Sequence, residues 1–117
     1  MVVDNRLTDA ELDRVFRALA DATRRDIVTR VLSGEPASVT ALAERYDMSF
    51  AAVQKHVAVL EAAGLVTKSA RGRERIVRGN PERIGRARDL LAQLEGQWRS
   101  RFSQLDAVFT THPQARE

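Results

Sequence analysis

A chain of 117 residues, 44% hydrophobic and 30% charged, has the composition of one ordinary globular domain, able to bury roughly two-thirds of the surface that its unfolded form exposes. It contains no cysteine, which excludes a disulfide framework, a thiolate nucleophile and any sulfur-ligated metal. The net charge is only +3, but it is unevenly placed: residues 1–47 carry 7 Arg against 9 acids, and residues 48–117 carry 12 Lys or Arg against 7 acids.

The elements follow from capping and spacing. Thr8 with Glu11 forms a capping box, and Leu12, Val15, Phe16 and Leu19 follow at helical intervals, which predicts a first helix over about 9–20. Asp21 caps a second helix whose buried stripe is Ile27, Val28, Val31 and Leu32, ended by Gly34 and Pro36. Ser38 caps a short third helix carrying Val39, Leu42, Ala43 and Tyr46. Asp47 and Met48 form the turn, and Ser49 caps a fourth helix over 49–62 with core positions Val53, Val57, Leu60 and Ala63, stopped by Gly64. Residues 38–63 therefore read as a helix-turn-helix.

Past Gly64 the period falls to about two. The run "LVTKSARGRERIVRG" predicts two strands, Leu65–Ser69 and Arg75–Arg78, joined around Gly72 into a basic hairpin over 65–79. Residues 68–88 hold eight basic side chains against Glu74 and Glu82, a local excess suited to a polyanion or to a solvated face. Asn80 and Pro81 open a closing helix over 81–109. In it Ile84, Leu91, Trp98 and Leu105 recur every seven residues, with Ala87, Leu94 and Val108 on the interleaved positions, a seam suited to a second helix. Three helices, a recognition-type helix, a basic hairpin and a long last helix make a mainly α fold with a small β-hairpin, the winged helix-turn-helix. Its long N- and C-terminal helices are expected to dimerise. Residues 1–112 are expected to form one DNA-binding domain, and 113–117 a flexible tail.

The stretches "RVFRALADATRRDIV", "LAERYDMSFAAVQKHVAVLEAAGLV" and "GRERIVRGNP" resemble the ArsR/SmtB-type transcriptional repressors, most of all their cysteine-free branch without metal boxes. The resemblance spans about residues 12–109. Ala22 stands where the family usually has proline, and Gly79 where it usually has an apolar strand residue. The resemblance implies a homodimeric, operator-binding repressor.

The residues themselves point to duplex DNA as the partner. The open face of the fourth helix, Phe50, Ala51, Ala52, Gln54, Lys55 and Ala58, is too poor in charge to be meant only for water. Ala51 and Ala52 let a backbone approach base edges, Gln54 can pair with adenine, Lys55 can reach guanine or a phosphate, and Phe50 or Ala51 can touch a thymine methyl. Ser49 and the first amides of the helix suit a phosphate oxygen, beside the serine's capping role. Packing against the third helix is an equal reading of Phe50. His56, one position before core Val57, suits a half-buried, hydrogen-bonded ring first and a phosphate contact second. Lys68, Arg71, Arg73 and Arg75 form the basic wing, which is expected to hold phosphates or enter a minor groove.

For the dimer, Leu12 and Phe16 of the first helix and Leu91, Leu94, Trp98, Phe102 and Leu105 of the last are the expected interface. Neither a metal nor another cofactor is expected, because His112 has no partner at ligand spacing and the last helix carries no histidine between Asn80 and Thr111. No enzyme is expected either, since the sequence offers no paired-carboxylate cleft, no glycine-rich phosphate loop and no Ser, His and Asp set outside the C-terminal tail. No apolar run nears the roughly 20 residues of a membrane span, and the N-terminus lacks a signal-peptide layout, so a cytoplasmic protein with no membrane partner is expected. The alternative class is a winged-helix module that binds protein rather than DNA, which would call for a larger apolar patch on the fourth helix. The residues name no effector.

Overall fold

The computed structural model describes residues 6–110, and the side chains of residues 6–105. The element order is α1 Asp9–Leu19, α2 Ala22–Ser33, β1 Ala37–Ser38, α3 Val39–Ala43, α4 Phe50–Ala62, β2 Val66–Arg71, β3 Glu74–Gly79 and α5 Pro81–Thr110. Packing divides the chain into two units, residues 1–86 and residues 87–117. The expected tail after Thr110, with His112, lies outside the described residues.

Helices α1, α2, α3 and α4 each start where a side-chain oxygen covers an orphan amide. The Glu11 amide donates to Thr8 Oγ1 at 3.1 Å and the Thr8 amide to Glu11 Oε1 at 2.9 Å, the reciprocal capping box. Asp21, Ser38 and Ser49 cap α2, α3 and α4 by accepting from the amides of Arg24, Ala41 and Ala52 at 3.0, 3.0 and 3.1 Å. Helix α4 ends in a Schellman motif: the Gly64 amide donates to the Glu61 carbonyl at 2.9 Å and the Leu65 amide to the Leu60 carbonyl at 3.0 Å. Gly64 sits at φ 78°, and a Cβ there would lie 2.8 Å from Arg83 Nε. The left-handed backbone favours glycine here, while the Arg83 guanidinium fills the space beside it.

The core of this unit is built from Val15 and Ala18 of α1, Ile27, Val28 and Val31 of α2, Val53, Val57 and Leu60 of α4, and Leu65, Val66, Ile76 and Val77 around the sheet. Burying each of the larger side chains contributes about 1.5–3 kcal/mol. Leu32, expected in the buried stripe, is 36% exposed. Its side chain lies over Gly79, where a Cβ would sit 2.5 Å from Leu32 Cδ2. The strand is glycine at this point because the end of α2 crosses it too closely for a side chain, and Gly79 keeps its place in β3 opposite Val66.

Three further expectations are corrected. The third helix stops at Ala43, and the chain tightens through Arg45 and Tyr46, whose amides bond to the carbonyls of Leu42 and Ala43 at 3.0 and 3.3 Å. The hairpin is also not alone: β1 pairs antiparallel with β3, Ala37 opposite Val77 and Ser38 opposite Ile76, giving a three-stranded sheet in the order β1-β3-β2. Two residues are too few to show an alternating pattern, so β1 exists only because β3 offers it a free edge. Strand β2 runs further toward the tip than its expected end at Ser69, and β3 begins before Arg75, so that the ladder closes with Arg71 opposite Glu74. The loop is Gly72 and Arg73, with Gly72 at φ 64° and no positive φ at Arg73, the pattern of a two-residue hairpin turn with glycine first.

Asn80 closes the sheet onto α4. Its amide donates to the Leu65 carbonyl at 2.9 Å and its side-chain Nδ2 to the Gly64 carbonyl at 2.8 Å, so α5 starts from the corner between α4 and β2, with Pro81 at its first position. In the second unit, residues 87–110 continue α5 as a single helix.

Candidate nucleic-acid interface

Helix α4 buries one stripe and leaves the other open. Val53, Val57 and Leu60 are fully buried, which turns Phe50, Ala51, Gln54, Lys55 and Ala58 outward, while Ala52 is half-buried. Phe50 is 45% exposed, so it does not disappear into the packing with α3. Val59 joins the exposed set at 41%, a position that the spacing does not single out. Ser49 is exposed as well, its hydroxyl engaged by the Ala52 amide.

His56 turns inward toward α2. Its Nδ1 lies 3.3 Å from Arg24 Nη1 and 4.0 Å from Asp21 Oδ1, with 21% of the side chain exposed. A guanidinium can only donate, so in its contact with Arg24 the His56 ring nitrogen serves as acceptor. Arg24 also donates from Nε to the Ala18 carbonyl at 2.6 Å and from Nη2 to the Arg17 carbonyl at 3.2 Å. One side chain thus satisfies the end of α1 while holding a residue of α4. Asp21 completes the group: the Arg24 amide donating to its carboxylate holds that carboxyl below the usual range. Arg24 is not legible in the sequence as a positioning residue, because a basic side chain one turn into a helix looks like any solvated arginine.

The basic residues separate into two kinds. Lys68 Nζ lies 3.8 Å from Glu61 Oε1, Arg83 pairs with Glu11 at 3.4 Å, Arg86 with Glu82 at 3.5 Å and Arg88 with Asp89 at 3.5 Å. Lys68 therefore leans on α4 rather than standing at the tip of the wing. Arg71, Arg73, Arg75 and Arg78 are all exposed, and none of them has a carboxylate within ion-pair distance among the described residues. The unneutralised positive charge sits on the hairpin around Gly72, where no existing ion pair has to break before it turns to a phosphate.

The second unit presents a different surface. Leu91, Leu94, Trp98, Phe102 and Leu105 are 53%, 50%, 59%, 54% and 55% exposed, a continuous apolar strip on one helix. Trp98 and Phe102 meet edge to face, their ring centroids 4.7 Å apart. Leu12 and Phe16, the α1 members of the expected dimer face, are half-buried in the first unit. Among the described residues no three His, Cys, Asp or Glu side chains gather as metal ligands, and no helix is long and apolar enough to cross a membrane.

Comparison with known proteins places this geometry. Residues 19–69 match a helix-turn-helix domain family. The chain is 38% identical over 76 residues to an uncharacterised HTH-type transcriptional regulator of Bacillus subtilis, YuzN, covering 60% of this chain and 83% of that one. It is 42% identical over 69 residues to the HTH-type transcriptional regulator Rv2034 of Mycobacterium tuberculosis, covering 59% and 64% of the two chains. An ArsR-like transcriptional regulator from Rhodococcus superposes with a TM-score of 0.73 at 32% identity over 85% of this chain and 92% of its own.

The chain belongs to the ArsR family of winged helix-turn-helix transcriptional regulators.

In this ArsR-family regulator, α3 and α4 are the helix-turn-helix and β2 and β3 the wing. The matched segment ends at residue 69, so it covers both helices and most of β2 but not the arginines of the wing tip.

Proposed function

We propose that this ArsR-family regulator is a homodimeric repressor that binds an inverted-repeat operator in double-stranded DNA, in the cytoplasm, with residues 1–112 acting as one DNA-binding domain. Helix α4 lies in the major groove, with Gln54 and Lys55 reading base edges, Phe50 and Ala51 in apolar contact, and Ser49 near a phosphate. Lys68, Arg71, Arg73 and Arg75 bring the wing to the flanking backbone, and His56 takes part by seating α4 against Arg24. Leu12, Phe16 and the α5 strip join the two copies.

The observation that carries this reading is the pairing of an open α4 face, small and amide-bearing, with wing arginines that have no carboxylate partner among the described residues. A groove-reading helix needs close backbone approach and a few directed donors, and the wing supplies the charge that attracts the polyanion. The test is a mobility shift with the DNA upstream of the protein's own gene. The unmodified protein shifts it, and Gln54→Ala and Lys55→Ala each weaken binding by about 1–3 kcal/mol with folding intact, Gln54→Ala also relaxing base preference. Unchanged affinity and preference in both variants removes α4 from the interface, and an apolar peptide or protein bound there instead would establish the interaction-module reading.

A further inference from the structure

The pleat of the wing sorts its arginines onto two faces. Residues directly opposite in an antiparallel ladder share a face, and so do alternate residues along a strand. Lys68 stands opposite Val77 and Ala70 opposite Arg75, so Arg75 lies on the face from which Lys68 reaches Glu61 of α4. Ser69 and Ser38 both stand opposite Ile76, and Arg71 stands opposite Glu74, which puts Arg71 and Glu74 on the other face. Two arginines that look equivalent in the sequence therefore meet different surroundings.

The second face looks onto a cleft of about 610 Å³, lined also by the end of α2, the turn that leads to β1, and α3. That volume lies within the range of small-molecule sites. Leu42 and Ile76, both buried, supply apolar lining, and charged side chains stand around it: Arg30, Glu35 and Arg45 on the helical side, Arg71 and Glu74 on the wing. Arg30 is already engaged by Asp26 at 2.8 Å. The other four, two cations and two anions, have no opposite charge within ion-pair distance among the described residues. Arg71 and Glu74 stay apart although they face each other across the ladder, where opposite charges attract. By contrast, Asp26 and Arg30, Glu82 and Arg86, and Glu95 and Arg99 all pair one helical turn apart.

A partly apolar cleft with two unengaged charges of each sign is complementary to a small molecule that carries both signs. A simple anion meets Glu35 and Glu74 there, and a simple cation meets Arg45 and Arg71, so either is opposed by half of the site. We propose that the cleft binds a small zwitterion, of which a free α-amino acid is the simplest, with its carboxylate held by Arg45 and Arg71 and its ammonium by Glu35 and Glu74. Arg71 is then shared between two partners. In the operator-binding reading given above it reaches the DNA backbone, and a ligand that holds it in the cleft withdraws one cation from the operator. The zwitterion therefore loosens the repressor from DNA. This regulatory consequence rests on that reading, whereas the site itself does not.

The test separates the site from its effect. The isotope-labelled full chain is titrated, without DNA, with each free proteinogenic amino acid in turn, and its backbone amide resonances are followed by NMR. At least one amino acid gives saturable shifts at Glu35, Ala37, Ser38 and the wing residues 71–76. Its N-acetylated and its carboxyl-amidated forms each bind about tenfold more weakly, the loss of one charge-assisted contact. Glu35→Gln and Arg45→Gln, both at exposed positions, abolish the shifts and leave operator affinity in the absence of the amino acid unchanged. Saturable shifts with none of the amino acids, or shifts confined to other parts of the chain, overturn the site. An N-acetylated form that binds as tightly as its parent overturns the zwitterion. In a mobility shift, the amino acid that binds lowers the operator affinity of the unmodified protein and not that of Glu35→Gln; unchanged affinity with the cleft filled overturns the regulatory consequence. A protein that binds the amino acid but shifts no operator counts only against DNA binding.

Discussion

Tyr46 donates its hydroxyl proton to Asp26 Oδ2 at 2.6 Å, the oxygen that also accepts from Arg30 Nε at 2.8 Å, and so ties the turn before α4 back to α2. The hydrogen bond from Tyr46, then that from Arg30, holds the Asp26 carboxyl below its usual range. Burial, then the bond to Asp26, pushes the Tyr46 phenol up to about 12. A depressed carboxyl contributes stability above its ordinary range and loses it as pH falls through the lowered value. A raised phenol contributes below its ordinary value of about 10 and loses it as pH climbs toward 12. Tyr46→Phe is therefore expected to cost about 0.5–1.5 kcal/mol at pH 7 and to flatten the loss of stability between neutral pH and about pH 3, as measured by urea unfolding at both. Equal midpoints for the variant and the unmodified protein at pH 7 would show that this bond adds nothing to the turn.

The wing is an element whose geometry separates charge from structure. Ile76 and Val77 are buried at the base of β3, while Arg71, Arg73 and Arg75 stand at the tip around a two-residue turn. The tip can part with its arginines and keep its core. Replacing the three with alanine should leave thermal unfolding nearly unchanged and lower operator affinity for all sequences alike. The slope of log affinity against log salt should become shallower by roughly 0.9 for each phosphate that the variant no longer neutralises. An unaltered slope in the triple variant means that the wing does not touch DNA. Lys68 is excluded from this set because its ammonium leans toward Glu61 at 3.8 Å, and its replacement alone is expected to change the slope less than that of any wing arginine.

For the whole molecule, the two-fold symmetry proposed for the dimer carries over to the operator. Recognition helices related by a two-fold axis read half-sites about one turn of DNA, roughly 34 Å, apart. Inserting about half a turn of DNA between the half-sites carries one of them to the opposite side of the duplex. Binding is then expected to fall to that of an isolated half-site, measured by mobility shift on the two DNAs. Equal affinity for the spaced and unspaced operators, or tight binding to one half-site, would mean that each copy binds alone.

Local chemistry made most of the fold legible in the sequence. Capping boxes, N-caps and the Gly64 stop act over a single turn of helix, and each of Thr8, Asp21, Ser38, Ser49 and Gly64 does in the structure what its neighbours require. The α5 strip was legible for the same reason, since which residues share one side of a helix follows from spacing alone. The tertiary structure decided whatever depends on groups distant in the chain. Strand β1 forms only because β3 presents an edge far along the chain, Ala37 opposite Val77. Gly79 is glycine because Leu32 crosses it, and Tyr46 leaves α3 for Asp26, 20 residues away. The candidate interface divides along the same line. The open face of α4 could be read from its period, but that His56 turns to Arg24 and Lys68 to Glu61, leaving the wing-tip arginines unneutralised, could not, because a charge shows its partner only after the chain has folded.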